Sequence, residues 1–286
     1  MSKIAVLVCC NSGIDYIDHP YYILVPRSRI IFQDGSEYRD YIDIKAAEFY
    51  EKIAQDADNI PRTVQQTTGE FVEMYEKVLA DGYDECLVIL ISSQLSGYVT
   101  NANIAASMVE DLKVTVYDSK SVGYVEAKMA LDASKMAEDG KSMEEIVKHL
   151  DHIRDNNRMY FAVEDLKFLV KNGRLSGAAG FFGAMLKIKP LLTITEEGKV
   201  VSVEKIRTFQ KAVDTIVDKY FEETNGRKHE VFIIHSHNPE KVEYIRNKVL
   251  EARPEVNEVK DYFLTPVVGA HSGPGAVAIG WIFDEE

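Results

Sequence analysis

Three apolar runs without polar alternation constrain this chain more than any other feature. Lys3 to Cys10 (KIAVLVCC), Cys86 to Ile91 (CLVILI) and Val114 to Tyr117 (VTVY) are rich in β-branched side chains. Runs of this kind fill strands that are covered on both faces. Each breaks off into small polar residues: Asn11-Ser12-Gly13, then Ser92, Ser93 and Ser96 ahead of Gly97, then Asp118-Ser119-Lys120-Ser121. Helix-like spacing follows the last two. Ile44 to Gln55 has an amphipathic pattern, and Thr67 with Glu70 and Ser142 with Glu145 form capping boxes that open two further helices. A long helix is expected over about Val125 to Glu138. This alternation up to about Asn157 predicts a parallel sheet with helices on both faces. Such sheets bind ligands outside the carboxyl ends of their strands, where the hydroxyls stand.

The serine cluster is the strongest local signal. A strand-to-helix junction offers unpaired backbone N–H groups and a positive dipole end, and three hydroxyls within five residues add donors that suit an anion. A single serine at Ser96 would serve as a helix cap alone.

After Asn156-Asn157 the pattern changes. Met159 to Val163 reads as a strand and Leu166 to Val170 as a short helix stopped by Asn172-Gly173-Arg174. Pro190 to Thr195 and Lys199 to Ile206 read as a hairpin around Glu197-Gly198. A helix over about Gln210 to Phe221, a strand Val231 to His235, a helix Pro239 to Leu250, and strands near Val259 to Leu264 and Ala276 to Phe283 complete the chain. Hairpins mixed with helices predict a second α/β domain with a mixed or antiparallel sheet. The expected division is residues 1–157 and 158–286, with no internal repeat.

Charge narrows the function classes. With 33 Lys and Arg against 46 Asp and Glu the net charge is −13, which argues against nucleic-acid binding and an anionic membrane partner. No stretch approaches the length of a membrane span, so no stable membrane insertion is expected. Cys9, Cys10 and Cys86 lie in strand-like runs without metal-ligand or disulfide spacing, which suits a reducing, cytoplasmic setting.

Catalytic motifs are sparse. Gly269-Ala270-His271-Ser272-Gly273 has histidine where a nucleophile elbow has serine, and a strand rather than a helix follows. No Walker A sequence exists, and Gly177, Gly180 and Gly183 do not match the dinucleotide fingerprint. His235 and His237 alternate on one predicted strand, but no third ligand joins them, so no metal is assigned; His229 is expected at the surface. The glycines and proline of Gly269 to Gly275 fix an unusual backbone, which suggests something fitting against it, with His271 and Ser272 as polar groups; a tight loop is the plainer reading. Arg174 and Arg207 are isolated cations, and Arg174, at a glycine-bounded turn, is well shaped for a carboxylate or phosphate.

Taken in order, Asn11-Ser12, Tyr38-Arg39-Asp40, Thr63, Ser92-Ser93-Gln94-Leu95-Ser96-Gly97, Asp118-Ser119, Asn172-Gly173-Arg174-Leu175-Ser176, Ile188-Lys189-Pro190, Lys205-x-Arg207-Thr208 and Gly269-x-His271-Ser272-Gly273-Pro274-Gly275 resemble the DegV family nearly end to end. Bacterial members of that family serve as fatty acid binding proteins, the B subunits of fatty acid kinase. The resemblance implies two α/β domains with one long-chain fatty acid buried between them and no other cofactor. It implies that the carboxylate is presented to a separate ATP-binding kinase subunit, which forms an acyl phosphate destined for phospholipid synthesis. By that likeness Thr63 and Ser93 hold the carboxylate. Ser96, Gly97 and Ser272 stand in the same binding group, and Arg174, Arg207 and His271 complete the polar end or meet the kinase. Phe161, Phe181, Phe182, Met185 and Leu186 are the candidate acyl-chain contacts. Asn11 stands where the family usually has aspartate, and Tyr98 where threonine is common. The alternative is a serine-dependent acyl hydrolase or acyltransferase using Ser93 or Ser272 with His271.

Overall fold

A computed structural model describes residues 3–56, 58–181 and 188–285. In chain order the elements are β1 (Ile4–Val8), β2 (Ile23–Leu24), β3 (Arg29–Ile31), β4 (Glu37–Arg39), α1 (Ala46–Gln55), β5 (Arg62–Val64), α2 (Thr68–Ala80), β6 (Glu85–Leu90), α3 (Tyr98–Ala106), β7 (Lys113–Asp118), α4 (Tyr124–Glu138) and α5 (Met143–Asn156). They continue with β8 (Asn157–Ala162), α6 (Lys167–Lys171), β9 (Leu191–Ile194), β10 (Val200–Glu204), α7 (Phe209–Glu223), β11 (His229–His235), α8 (Pro239–Ala252), β12 (Lys260–Phe263), α9 (Pro266–Ser272) and β13 (Val277–Phe283).

The non-alternating runs form a four-stranded sheet in the order β2-β1-β6-β7, and all its pairings are parallel. From Cys86 to Leu90 every residue of β6 is buried, which requires cover on both faces; the packed pairs α2 with α3 and α4 with α5 provide it. Both expected capping boxes are present: the Thr67 and Ser142 hydroxyls accept the Glu70 and Glu145 N–H groups, and the two carboxylates return to the cap N–H groups. Each cap is worth about 1 kcal/mol. Behind β1, the Cys9 thiol donates to Glu126 Oε1 at 2.8 Å and the Gly123 N–H to Oε2 at 3.0 Å. Burial pushes the Glu126 carboxyl up to about 8.

The second domain carries a mixed six-stranded sheet, β10-β9-β8-β13-β11-β12, in which only the β11–β12 pair is parallel. The side-chain period of two divides its central strands. Val277, Ile279, Trp281 and Phe283 join Val231 and Ile233 in a core with α7 and α8, whereas Ala278 and Ile282 join Phe232 and Ile234 in the core shared with the parallel sheet.

Two elements depart from the sequence reading. Thr63, expected on a loop, is the middle residue of β5, which pairs with β3 in a small sheet ordered β4-β3-β5. The segment expected as a tight loop from Gly269 is largely helical: Pro266 occupies the first turn of α9, where its missing N–H costs nothing. The Asp40 carboxylate accepts the Val267 N–H at 2.7 Å. The glycines of this segment serve packing within the chain. A side chain at Gly269 would run into the Tyr50 ring, and Gly273, at φ 76°, ends the helix in a conformation that favours glycine, against Phe168. Through α9, residues late in the sequence pack against α1, β3 and β5.

Candidate functional site

In the parallel sheet the chain leaves β1 for the edge strand β2 and later returns to β6 on the other side, so the loops after β1 and β6 diverge at a topological switch point. A cavity of about 410 Å³ opens there. Asn11 lines it from the turn after β1, Ile91, Leu95 and Ser96 from the loop after β6, and Val122 from the segment after β7. The opposite wall comes from the six-stranded sheet, with Met159, Phe161, Ile194, Ile234 and Ala278. The rows Phe161–Ala278–Ile234 and Met159–Gly280–Phe232 lie side by side across β8, β13 and β11. Ala278 lines the cavity between its larger neighbours Phe161 and Ile234, whereas the Phe232 ring covers Gly280.

Thr63, Arg174, His271 and Ser272 also line the cavity. Thr63 Oγ1 and His271 Nε2 are 2.9 Å apart, and His271 Nδ1 is buried without a partner. An orphaned lone pair is cheaper to bury than an orphaned N–H, so the favoured tautomer carries its proton on Nε2 and donates to Thr63. The Thr63 hydroxyl is then free to donate into the cavity. Burial, with the Arg174 charge second, lowers the His271 pKa to about 3, so the imidazole is neutral near pH 7.

Arg174 is half-buried. Its Nε donates to the Leu95 carbonyl at 3.1 Å and its Nη1 to the Asn172 carbonyl at 2.6 Å. Among the described residues no carboxylate pairs with it, so a fixed cation lines a chamber of apolar and neutral polar side chains without a counter-ion among them. Such a group favours an anionic guest. Ser96 is tied in place by Gln65, whose Oε1 accepts from the Ser96 hydroxyl at 2.7 Å and the Gly97 N–H at 2.8 Å. Gln65 also lines the cavity, and the sequence reading did not select it.

The remaining expected residues fall elsewhere. The side chain of Ser93 is exposed and absent from the cavity lining, because its N–H turns toward the Asp118 carboxylate, at 3.3 Å from Oδ1. Ser92 is consumed structurally, donating to the Gly198 carbonyl at 2.8 Å and so joining the two domains. Gly97 is exposed beside Gln65, and Arg207 is exposed next to Thr208, the cap of α7. Neither lines the cavity. Of the acyl contacts, Phe161 is in the wall; Phe182, Met185 and Leu186 lie outside the described residues, and Phe181 is described only as the backbone end of the turn Ala178–Phe181.

The alternative chemistry lacks its geometry. His271 Nε2 meets Thr63 rather than a serine, and no carboxylate orients its Nδ1, so the relay of a serine hydrolase is not assembled among the described residues. His237 sits beyond the end of β11 at φ 57°, off the strand it was expected to share with His235, and no cluster of three metal-ligating side chains occurs among the described residues. His229 is half-buried, within 2.9 Å of the Tyr220 hydroxyl, rather than at the surface. No described helix is long and apolar enough to cross a membrane.

Comparison with known proteins bears on both fold and site. A DegV domain-containing protein of Listeria innocua serovar 6a is 36% identical, with 90% of each chain covered. One of Staphylococcus aureus strain N315 is 34% identical over 98% of this chain and 97% of its own. Among solved structures, DegV of Bacillus subtilis, described as a fatty acid binding protein, matches with a TM-score of 0.87 and 31% identity over 99% of this chain and 100% of its own. The fatty acid binding DegV family protein of Streptococcus agalactiae matches with a TM-score of 0.90 and 26% identity over the whole of both chains. The model of the family described as "Uncharacterised protein, DegV family" matches residues 21–284, so this chain, with its parallel sheet, mixed second sheet and cavity between them, belongs to the DegV family.

Proposed function

We propose that this protein is a fatty acid carrier, and that the cavity buries one long-chain fatty acid with its carboxylate at Thr63 and Arg174 and its chain along Met159, Phe161, Ile194 and Ala278. The observation that carries the reading is that the Arg174 guanidinium, with no carboxylate partner among the described residues, lines the same cavity as the Thr63 donor hydroxyl, and that the other walls are mainly apolar. The size is suitable: about 410 Å³ lies within the roughly 300–1,000 Å³ of pockets that bury small ligands. Burying each methylene gains about 0.8 kcal/mol, so a long chain gains roughly 10 kcal/mol before ordering costs. The carboxylate needs local donors because an unpaired buried ion would forfeit several kcal/mol of that gain. The fatty acid binding named for the B. subtilis and S. agalactiae structures supports the same ligand class.

In this reading residues 1–157 bring Thr63 to the carboxylate and residues 158–286 bring Arg174 and close over the chain, α9 adding Val267, His271 and Ser272 to the wall. The protein works in the cytoplasm and has no catalytic step of its own. It offers the bound carboxylate to a separate fatty acid kinase subunit, which forms the acyl phosphate for phospholipid synthesis, and exposed Ser93 and Arg207 are the residues offered to that partner. Extraction of the purified protein with organic solvent followed by mass spectrometry should release one fatty acid per chain, and the stripped protein should take up labelled fatty acid. An empty protein that refuses fatty acid would end the carrier reading; turnover of acyl esters without a partner, lost in His271→Ala, would move the assignment to the hydrolase.

A further inference from the structure

At the turn after β1 the cavity wall carries a polar group that nothing else in the chain engages. Asn11 is 6% exposed and lines the cavity, and its buried Oδ1 has no hydrogen-bond partner. Its side chain makes no hydrogen bond among the described residues. Next to this turn stands Ser28, whose N–H donates to the Cys10 sulfur at 3.3 Å, and Ser28 lines the cavity too. The direction of the hydroxyl protons follows from their neighbours. Tyr98 donates its single proton to Gln66 Oε1 at 3.1 Å, so across the 2.8 Å contact Ser28 must donate to Tyr98. Ser28 Oγ therefore keeps only lone pairs to offer, as does Asn11 Oδ1. No hydrogen bond links this group to the Thr63–His271 pair among the described residues. A buried carboxamide left unpaired by the ligand is unfavourable, and a plain alkyl chain against it would leave it so.

We propose that Asn11 and Ser28 form a second polar group in the cavity, not hydrogen-bonded to the Thr63–His271 pair, which recognises a hydroxyl on the acyl chain: the ligand class is hydroxylated fatty acids. A hydroxyl donates to Asn11 Oδ1 or Ser28 Oγ and accepts from the Asn11 amide, so it satisfies the carboxamide in either orientation. The inference rests on the reading of the cavity as an acyl site.

The test is titration of solvent-stripped protein with stearate and with stearates hydroxylated near the carboxylate, at mid-chain and toward the methyl end. At least one hydroxylated isomer should bind about fivefold tighter than stearate. Asn11→Leu should abolish that preference by weakening the hydroxylated ligand while stearate binds as well or better, and Ser28→Ala should shift the ratio the same way by less. A wild type that prefers stearate to every isomer overturns the proposal. So does an Asn11→Leu protein that loses both ligands equally, since the carboxamide would then serve the carboxylate or the fold. A wild type that takes up neither ligand overturns the acyl reading along with it.

Discussion

On one face of β13 stand Val277, Ile279, Trp281 and Phe283, packed with α7 and α8; on the other stand Ala278, Gly280 and Ile282, turned toward the parallel sheet. Both faces are buried, yet they are built for different ends. The first is filled: Trp281 is fully buried and its ring lies 5.7 Å from that of Tyr220 and 6.0 Å from that of Tyr160. The second has Ala278 bordering the chamber between Phe161 and Ile234, while the Phe232 ring covers Gly280. One strand thus separates a core that holds the protein together from a core that keeps space for something else, and volume rather than polarity distinguishes them.

Filling or emptying each face tests that contrast. The largest effect is expected from Trp281→Ala, which should cost about 3–5 kcal/mol of stability in denaturant unfolding while fatty acid affinity, measured where the variant is folded, stays within about twofold. Ala278→Phe should do the reverse, lowering fatty acid affinity about a hundredfold by occupying the chamber, at about 1–3 kcal/mol of stability. If both variants lose affinity and stability in proportion, the two faces are not separable.

A pH measurement probes the junction that holds α9 to the cavity. Burial pushes the Asp40 carboxyl up to about 7 from the ordinary aspartate value of 3.8. The folded protein therefore holds more protons here than the unfolded chain between those values, and this contribution to stability is lost as pH rises from about 4 to about 7. Asp40→Asn keeps an acceptor for the Val267 N–H and removes the titration. Relative to wild type it should gain about 2–3 kcal/mol between pH 5 and pH 8, from the shift at about 1.4 kcal/mol per unit. Equal slopes for the two proteins would show that Asp40 is not the group responsible. His271 has the opposite sign: its pKa is lowered, so its contribution is present above the ordinary histidine range and lost as pH falls toward about 3. The smallest effect is expected from Thr63→Val, which removes one donor and should weaken fatty acid binding about fivefold to tenfold with little change in stability. No loss would mean that Arg174 alone meets the carboxylate.

The elements that could be read in the sequence are those fixed by neighbours along the chain. Thr67 with Glu70 and Ser142 with Glu145 are capping boxes over four residues, and the uninterrupted run from Cys86 states its own burial. The α9 segment was obscured because Gly269, Gly273 and Gly275 signal a loop locally, while the contacts they make with Tyr50, Phe168 and Glu164 come from distant parts of the chain. The site divides in the same way. That polar groups gather at the carboxyl ends of the strands follows from sheet topology. The choice of Ser96 over Ser93 as a cavity residue depends on Gln65 drawing one hydroxyl inward and Asp118 holding the other's backbone. No spacing rule announces Leu264, Val268 or Ile194 as sharing a cavity with Thr63; Ile194 comes from β9 of the six-stranded sheet, Leu264 from the segment after β12 and Val268 from α9.

The position of β13 has a consequence for synthesis. It is the last strand of its sheet to emerge from the ribosome, yet it zips β8 to β11. Until residue 283 has been translated those two strands have no shared neighbour, and the nascent chain has neither the floor under the chamber nor the ladder that joins its second domain.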